Sequence, residues 1–208
     1  MQFTLFGFPV RVEPWFWLSA ALLGGGLRPE AFSSAANLAS IGIWVILAFF
    51  SVLCHELGHA SAGRRFGSTP VIVLQGFGGA AIMDISPFSR WQHFLMVTAG
   101  PAASACLAAL SYCGLFFIPN LDADMSRTLH QLATINVFWT LLNLLPVQPL
   151  DGGQMLRVAL GERRFGVSCV VGVTVAVAVA LWGLREGAVF LTLMMALFAY
   201  ENWRAWRR

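Results

Sequence analysis

The chain has 208 residues and a net charge of +3 at pH 7; 58% are hydrophobic, 11% are charged, and all 13 basic residues are arginine. Soluble domains are roughly 45–50% apolar and about 25% charged, so this balance excludes an ordinary soluble domain. Without a basic stripe it also excludes a nucleic-acid binder.

The N-terminal stretch MQFTLFGFPVRVEP has no basic region ahead of an apolar run and no small-residue cleavage site. No cleaved signal peptide is expected, and the first span stays in the mature protein. Six candidate spans follow in order: Trp15–Leu27, Leu38–Ala62, Phe94–Ile118, Leu129–Pro146, Phe165–Leu184 and Gly187–Trp203. Lengths near 20 residues suit a hydrocarbon core of about 30 Å. The first is short and carries Gly24, Gly25 and Gly26; the fifth has no charge at all.

Between spans two and three, Thr69–Ile85 is Gly-rich and β-branched, too broken for a helix, and reads as a small membrane-associated hairpin or sheet. The expected fold is therefore an all-α polytopic membrane protein of about six transmembrane helices with that β element. It forms a single domain over residues 1–208. Arg64, Arg65 and Arg90 flank the second connection, Arg157, Arg163 and Arg164 the fourth, and Arg204, Arg207 and Arg208 the tail. An arginine excess on these segments places both termini in the cytoplasm. Cys54, Cys106, Cys113 and Cys169 form no CxxC pair and read as apolar fillers.

His55, Glu56 and His59 form H-E-x-x-H at the end of the second span. Positions i and i+4 share a helix face, so two imidazoles can reach one tetrahedral ion while Glu56 serves as general base. Ionisable residues inside spans are expensive and usually functional. A catalytic zinc takes three protein ligands and one open position. His93 and His130 read as interfacial histidines. Asp151 is the better third ligand, because spans two and four both run inward and bring the two motifs to one side of the membrane. Asp151 is also suited to capping the segment after it. Its setting among Pro146, Pro149, Gly152 and Gly153 suggests a backbone bent to aim one carboxylate. Asn136 and Asn143 share a face of span four. Asn136 reads as interhelical glue; Asn143 is either glue or a group that holds a substrate carbonyl or oxyanion.

HELGH at 55–59 and NLLPVQPLDGG at 143–153 resemble the two signature motifs of the site-2 protease family, the intramembrane zinc metalloproteases. AGP at 99–101 and LQGFGG at 74–79 are similar to further family features, the latter to its membrane-embedded strand region. LFGFPVRVEPWFWL at 5–18 resembles the branch that includes the bacterial sporulation-factor processing protease. The resemblance runs to about Gln154; the last two spans match only in number. It implies one zinc ion per chain held by His55, His59 and Asp151, with Glu56 as base and acid and Asn143 positioning the substrate. It further implies regulated intramembrane proteolysis of a single-pass transmembrane substrate within the lipid bilayer, in a bacterial or archaeal cell membrane.

Ser104 stands where many relatives carry Asn, which puts any role for that position in doubt. No PDZ-like insertion and no CBS domain are seen, and the sequence assigns no oligomeric state. A transporter that merely held an ion would not need Glu56 at this spacing. A non-cutting helix binder would not need the full set of His55, Glu56, His59 and Asp151. The free strand edge in Val71–Ile85 is expected to accept an unwound substrate by β-addition.

Overall fold

The computed structural model describes residues 1–26, 29–76, 78–84 and 88–207. Leu27, Phe77, Ile85 and Arg208, which the sequence reading used, lie outside them. The chain is mostly helical with one small four-stranded sheet. In order it runs β1 (Gln2–Leu5), β2 (Phe8–Val12), α1 (Pro14–Ala21), α2 (Ala35–Arg65), β3 (Val71–Gln75), β4 (Gly78–Ile82) and α3 (Arg90–Phe117). Then come α4 (Ala123–Asn143), α5 (Asp151–Leu160), α6 (Phe165–Arg185) and α7 (Val189–Trp206). It divides into two compact units, Met1–Phe88 with Ala99–Thr140, and Ser89–Thr98 with Leu141–Arg208.

In the first unit the expected hairpin is present as β3–β4, but it belongs to a larger sheet in the order β1-β2-β3-β4. β1 and β2 pair antiparallel, β2 and β3 parallel, and β3 and β4 antiparallel, which leaves β4 at an edge. Phe6 and Gly7 turn the first hairpin with φ of 50° and 79°, the positive-φ pair that a two-residue connection requires. Along β2, Phe8, Val10 and Val12 alternate inward. They pack with Ile72, Leu74, Phe16, Val52, Leu53 and Ala60 into one core. Arg64, in the last turn of α2, lies over the Phe8 ring and donates to the Phe6 carbonyl at 2.9 Å. The sheet is thereby tied to the helix that carries the HELGH motif. Asp84 accepts from the Ser68 hydroxyl and from the Thr69 amide at 3.0 Å, and these bonds hold its carboxyl below the ordinary aspartate range.

The second unit is built on α6 and α7. Leu142, Val147, Ala176, Met195 and Ala199 form its core. Arg90 reaches the end of α5, donating to the carbonyls of Val158 and Ala159, a favourable place for a cation at a helix C-terminus.

Among the described residues, three helices are long and apolar enough to cross a membrane: α2, α3 and the Glu162–Arg185 stretch that contains α6. On α2, Leu38, Ile43, Ile46 and Phe50 are exposed although apolar, as expected of a helix facing lipid. The other expected spans fall short of that length or apolarity for identifiable reasons. α1 has eight residues, about 12 Å at 1.5 Å per residue, and gives way to a π-type turn over Leu22–Gly26 with Gly25 at φ 106°. α4 opens on Asp124, Arg127 and His130, and the apolar run of α7 is diluted by Glu201, Asn202 and Arg204.

Candidate metal centre

α2 is continuous from Ala35 to Arg65, so His55 and His59 stand one turn apart on a common face. Their Nε2 atoms lie 3.1 Å apart, with the rings edge-on at 80°. Two nitrogens bound at about 2.0–2.1 Å to one tetrahedral ion would be about 3.3 Å apart. The pair is therefore already close to the spacing a shared ion demands. His55 and Glu56 are almost fully buried, at 3% and 5% exposure. Burial of this kind is tolerated only where ionisable groups have partners or a function.

α3 shapes the space around the pair. Gly58 approaches the Ala99 backbone so closely that a Cβ would overlap it. A Cβ on Gly100 would likewise overlap the His59 ring. The AGP stretch is thus a close-approach surface, and Gly100 is glycine because His59 occupies its side-chain space. Four residues on, Ser104 Oγ lies 3.0 Å from His55 Nδ1. One turn before His55, Ser51 accepts from Asn136 Nδ2 at 2.9 Å, so Asn136 is the interhelical glue the sequence suggested. On the other side, Gly79 of β4 lies against Glu56: a Cβ there would be 2.6 Å from Glu56 Cγ. The edge strand runs beside the carboxylate expected to act as base.

Asp151 is the first residue of α5, where the helix dipole favours a carboxylate; the cap position itself is Leu150. Asn143 is the last residue of α4 and is half-buried. The intervening segment wraps so tightly over the start of α5 that Gly152 has no room for a Cβ beside the Leu144 carbonyl. Gly153 has none beside Val147, where a Cβ would be 2.5 Å from the Val147 carbonyl carbon. A residue the sequence reading missed holds this segment. Asn202 of α7, 1% exposed, donates to the Gln148 carbonyl at 2.7 Å and accepts from the Gln148 amide at 3.3 Å. Gly172 of α6 leaves the space for it. The available signal was an amide inside an apolar span, the same signal that flagged Asn136.

Replacing Asn202 by alanine strips both Gln148 backbone groups of their partner, at a cost of about 1–3 kcal/mol for each group left unsatisfied. The expected outcome is a lower thermal midpoint together with weaker zinc retention, read by metal analysis after dialysis. Full retention would show that Asn202 does not position the Asp151 segment.

His55, His59 and Asp151 each offer a ligand atom, and these atoms all lie within 4.8 Å of one another, a group that could hold a metal ion. Two imidazoles and a carboxylate are the donor set of hydrolytic zinc sites. His130 is exposed and contacts Thr134 at 3.3 Å; His93 lies in the first turn of α3. Neither belongs to the group. All four cysteines are free.

Residues 118–182 match the model of peptidase family M50. Over 206 residues the chain is 28% identical to a zinc metalloprotease of Methanocaldococcus jannaschii, covering 95% of this chain and 57% of that protein. Over 184 residues it is 33% identical to Rip3 of Mycobacterium tuberculosis, covering 87% of this chain and 44% of Rip3. The chain thus spans about half the length of these curated relatives. A solved structure of the site-2 protease from Methanocaldococcus jannaschii shares the fold with a TM-score of 0.65 at 23% identity, over 100% of this chain and 95% of that one.

Proposed function

The chain belongs to peptidase family M50, the site-2 protease family, and on that premise we propose that it is an intramembrane zinc endopeptidase acting on a single-pass membrane protein. The observation that carries this reading is the grouping of His55, His59 and Asp151, with Glu56 one residue along the same helix. We assign His55, His59 and Asp151 as the ligands of one zinc ion per chain. A bound zinc ion would act as Lewis acid and make water nucleophilic near neutral pH. Glu56 accepts the proton from the attacking water and returns it to the leaving amine. Asn143 holds the substrate carbonyl. Residues 1–208 act as one protease domain, a multi-pass prokaryotic membrane protein with both termini in the cytoplasm, where water has a short route to the site.

A helical substrate hides its carbonyls in its own hydrogen bonds and must unwind to be cut. β4 offers the replacement partners, because among the described residues no strand pairs with its outer side and it passes Glu56 at Gly79. Proline at Gly79 would disturb Glu56 directly, so Ala81 is the cleaner position. Gln75 and Gly78 flank a two-residue connection and form its closing pair. Alternate residues of β4, Gly79 and Ala81, then turn their amides outward.

The test is co-expression with a library of single-pass reporters that differ in their transmembrane segments, with cut sites mapped by mass spectrometry. Cleavage inside the segments, lost on chelation and restored by zinc, is expected. Ala81→Pro should reduce it at least tenfold with zinc content unchanged. Cuts confined to soluble regions would overturn the intramembrane reading, and full activity of Ala81→Pro would overturn β-addition.

A further inference from the structure

We propose that Ser104 is a positioning residue: its hydroxyl receives the Nδ1–H of His55, fixing the tautomer that presents the Nε2 lone pair to the metal. The inference rests on the zinc reading above and extends it to a residue that the motif pattern left without a role. Ser104 is completely buried, at 0% exposure. Its Oγ lies 3.0 Å from His55 Nδ1, on the side of the ring opposite the Nε2 that faces His59.

Its neighbours on α3 behave differently. Thr98 and Ser111 donate their hydroxyls to the carbonyls four residues back, Phe94 and Leu107, each at 2.8 Å. That is the ordinary habit of hydroxyls within helices. Ser104 instead faces the neighbouring helix. The placement follows from helix geometry. Gly100 and Ser104 are four apart on α3, as His55 and His59 are on α2. Gly100 meets His59 and Ser104 meets His55, so α3 presents an empty position to one imidazole and an oxygen acceptor to the other. A neutral imidazole carries one proton. With that proton held on Nδ1 by Ser104, Nε2 is left as the ligand atom, and the ring cannot turn away. Ligating histidines generally depend on such a partner for tautomer and orientation.

The experiment compares wild type with Ser104→Ala, Ser104→Thr and Ser104→Val, each as the purified full chain in detergent micelles. Zinc affinity is read by competition with a chromophoric chelator, and the ligand field by the visible spectrum of the cobalt-substituted protein. Thr and Val have nearly the same shape and differ in the hydroxyl, which separates the hydrogen bond from packing should alanine destabilise the fold. Expected are a 10–100-fold loss of zinc affinity and an altered cobalt spectrum for Ala and Val, with Thr within about threefold of wild type. Affinities of Ala and Val within threefold of wild type would overturn the Ser104 role while leaving the zinc site standing. Failure of wild type to bind zinc would overturn the site and the inference together.

Discussion

Glu56→Gln is expected to abolish peptide-bond cleavage without loss of zinc. Loss of a positioned general base costs about 10²–10⁴-fold, and here the same carboxylate is assigned both proton transfers. Glutamine is the right probe because Glu56 is 5% exposed and lies against the Gly79 backbone. It fills the same volume, keeps an oxygen in place and cannot take a proton. Alanine would instead open space between α2 and β4 and confuse loss of the base with loss of packing. Cleavage rates on a processed reporter, paired with zinc per chain, read both quantities. Activity of Glu56→Gln within tenfold of wild type would remove Glu56 from the role of base.

The second large effect concerns the ligands. His55→Ala, His59→Ala and Asp151→Ala are each expected to lose bound zinc through dialysis, with cleavage abolished. Losing a partner of a ligand typically weakens metal affinity 10–100-fold; losing the ligand itself should cost more than about 100-fold. His130→Ala is the control, since His130 is exposed and lies outside the His55–His59–Asp151 group, and it should retain zinc like wild type. A protein that keeps about one zinc per chain without Asp151 would exclude that carboxylate as a ligand.

Much of the centre was legible in the sequence because its chemistry is written in short spacings. H-E-x-x-H on an apolar run fixes two imidazoles on one face, and Asp151 between prolines and glycines marks a bent backbone. The β3–β4 hairpin was legible from its glycines. β1 and β2 were not, although Phe8, Val10 and Val12 alternate, because Pro9 interrupts the run and proline argues against a strand interior. β2 accommodates it opposite Thr4 with Pro9 exposed.

α5 was hidden by Gly152 and Gly153 in its first turn, which are poor helix formers. Their reason is close packing against Leu144 and Val147, a tertiary fact that no local pattern carries. For the same reason Ser104 carried no assigned role and Asn202 was not singled out. Each acts on a residue far away in sequence, His55 in one case and Gln148 in the other. The six-span expectation rested on apolar run length; among the described residues three helices reach that length and apolarity, while glycines interrupt α1 and charges enter α4 and α7.

The most direct test of the central claim is zinc X-ray absorption on the purified, metal-loaded chain. The assigned ligand set predicts two imidazoles, with nitrogen and oxygen scatterers at about 2.0–2.1 Å, and the loss of one imidazole on His55→Ala in any zinc that remains. Sulfur scattering at about 2.3 Å, as from Cys54 beside His55, or a spectrum without imidazole, would contradict it.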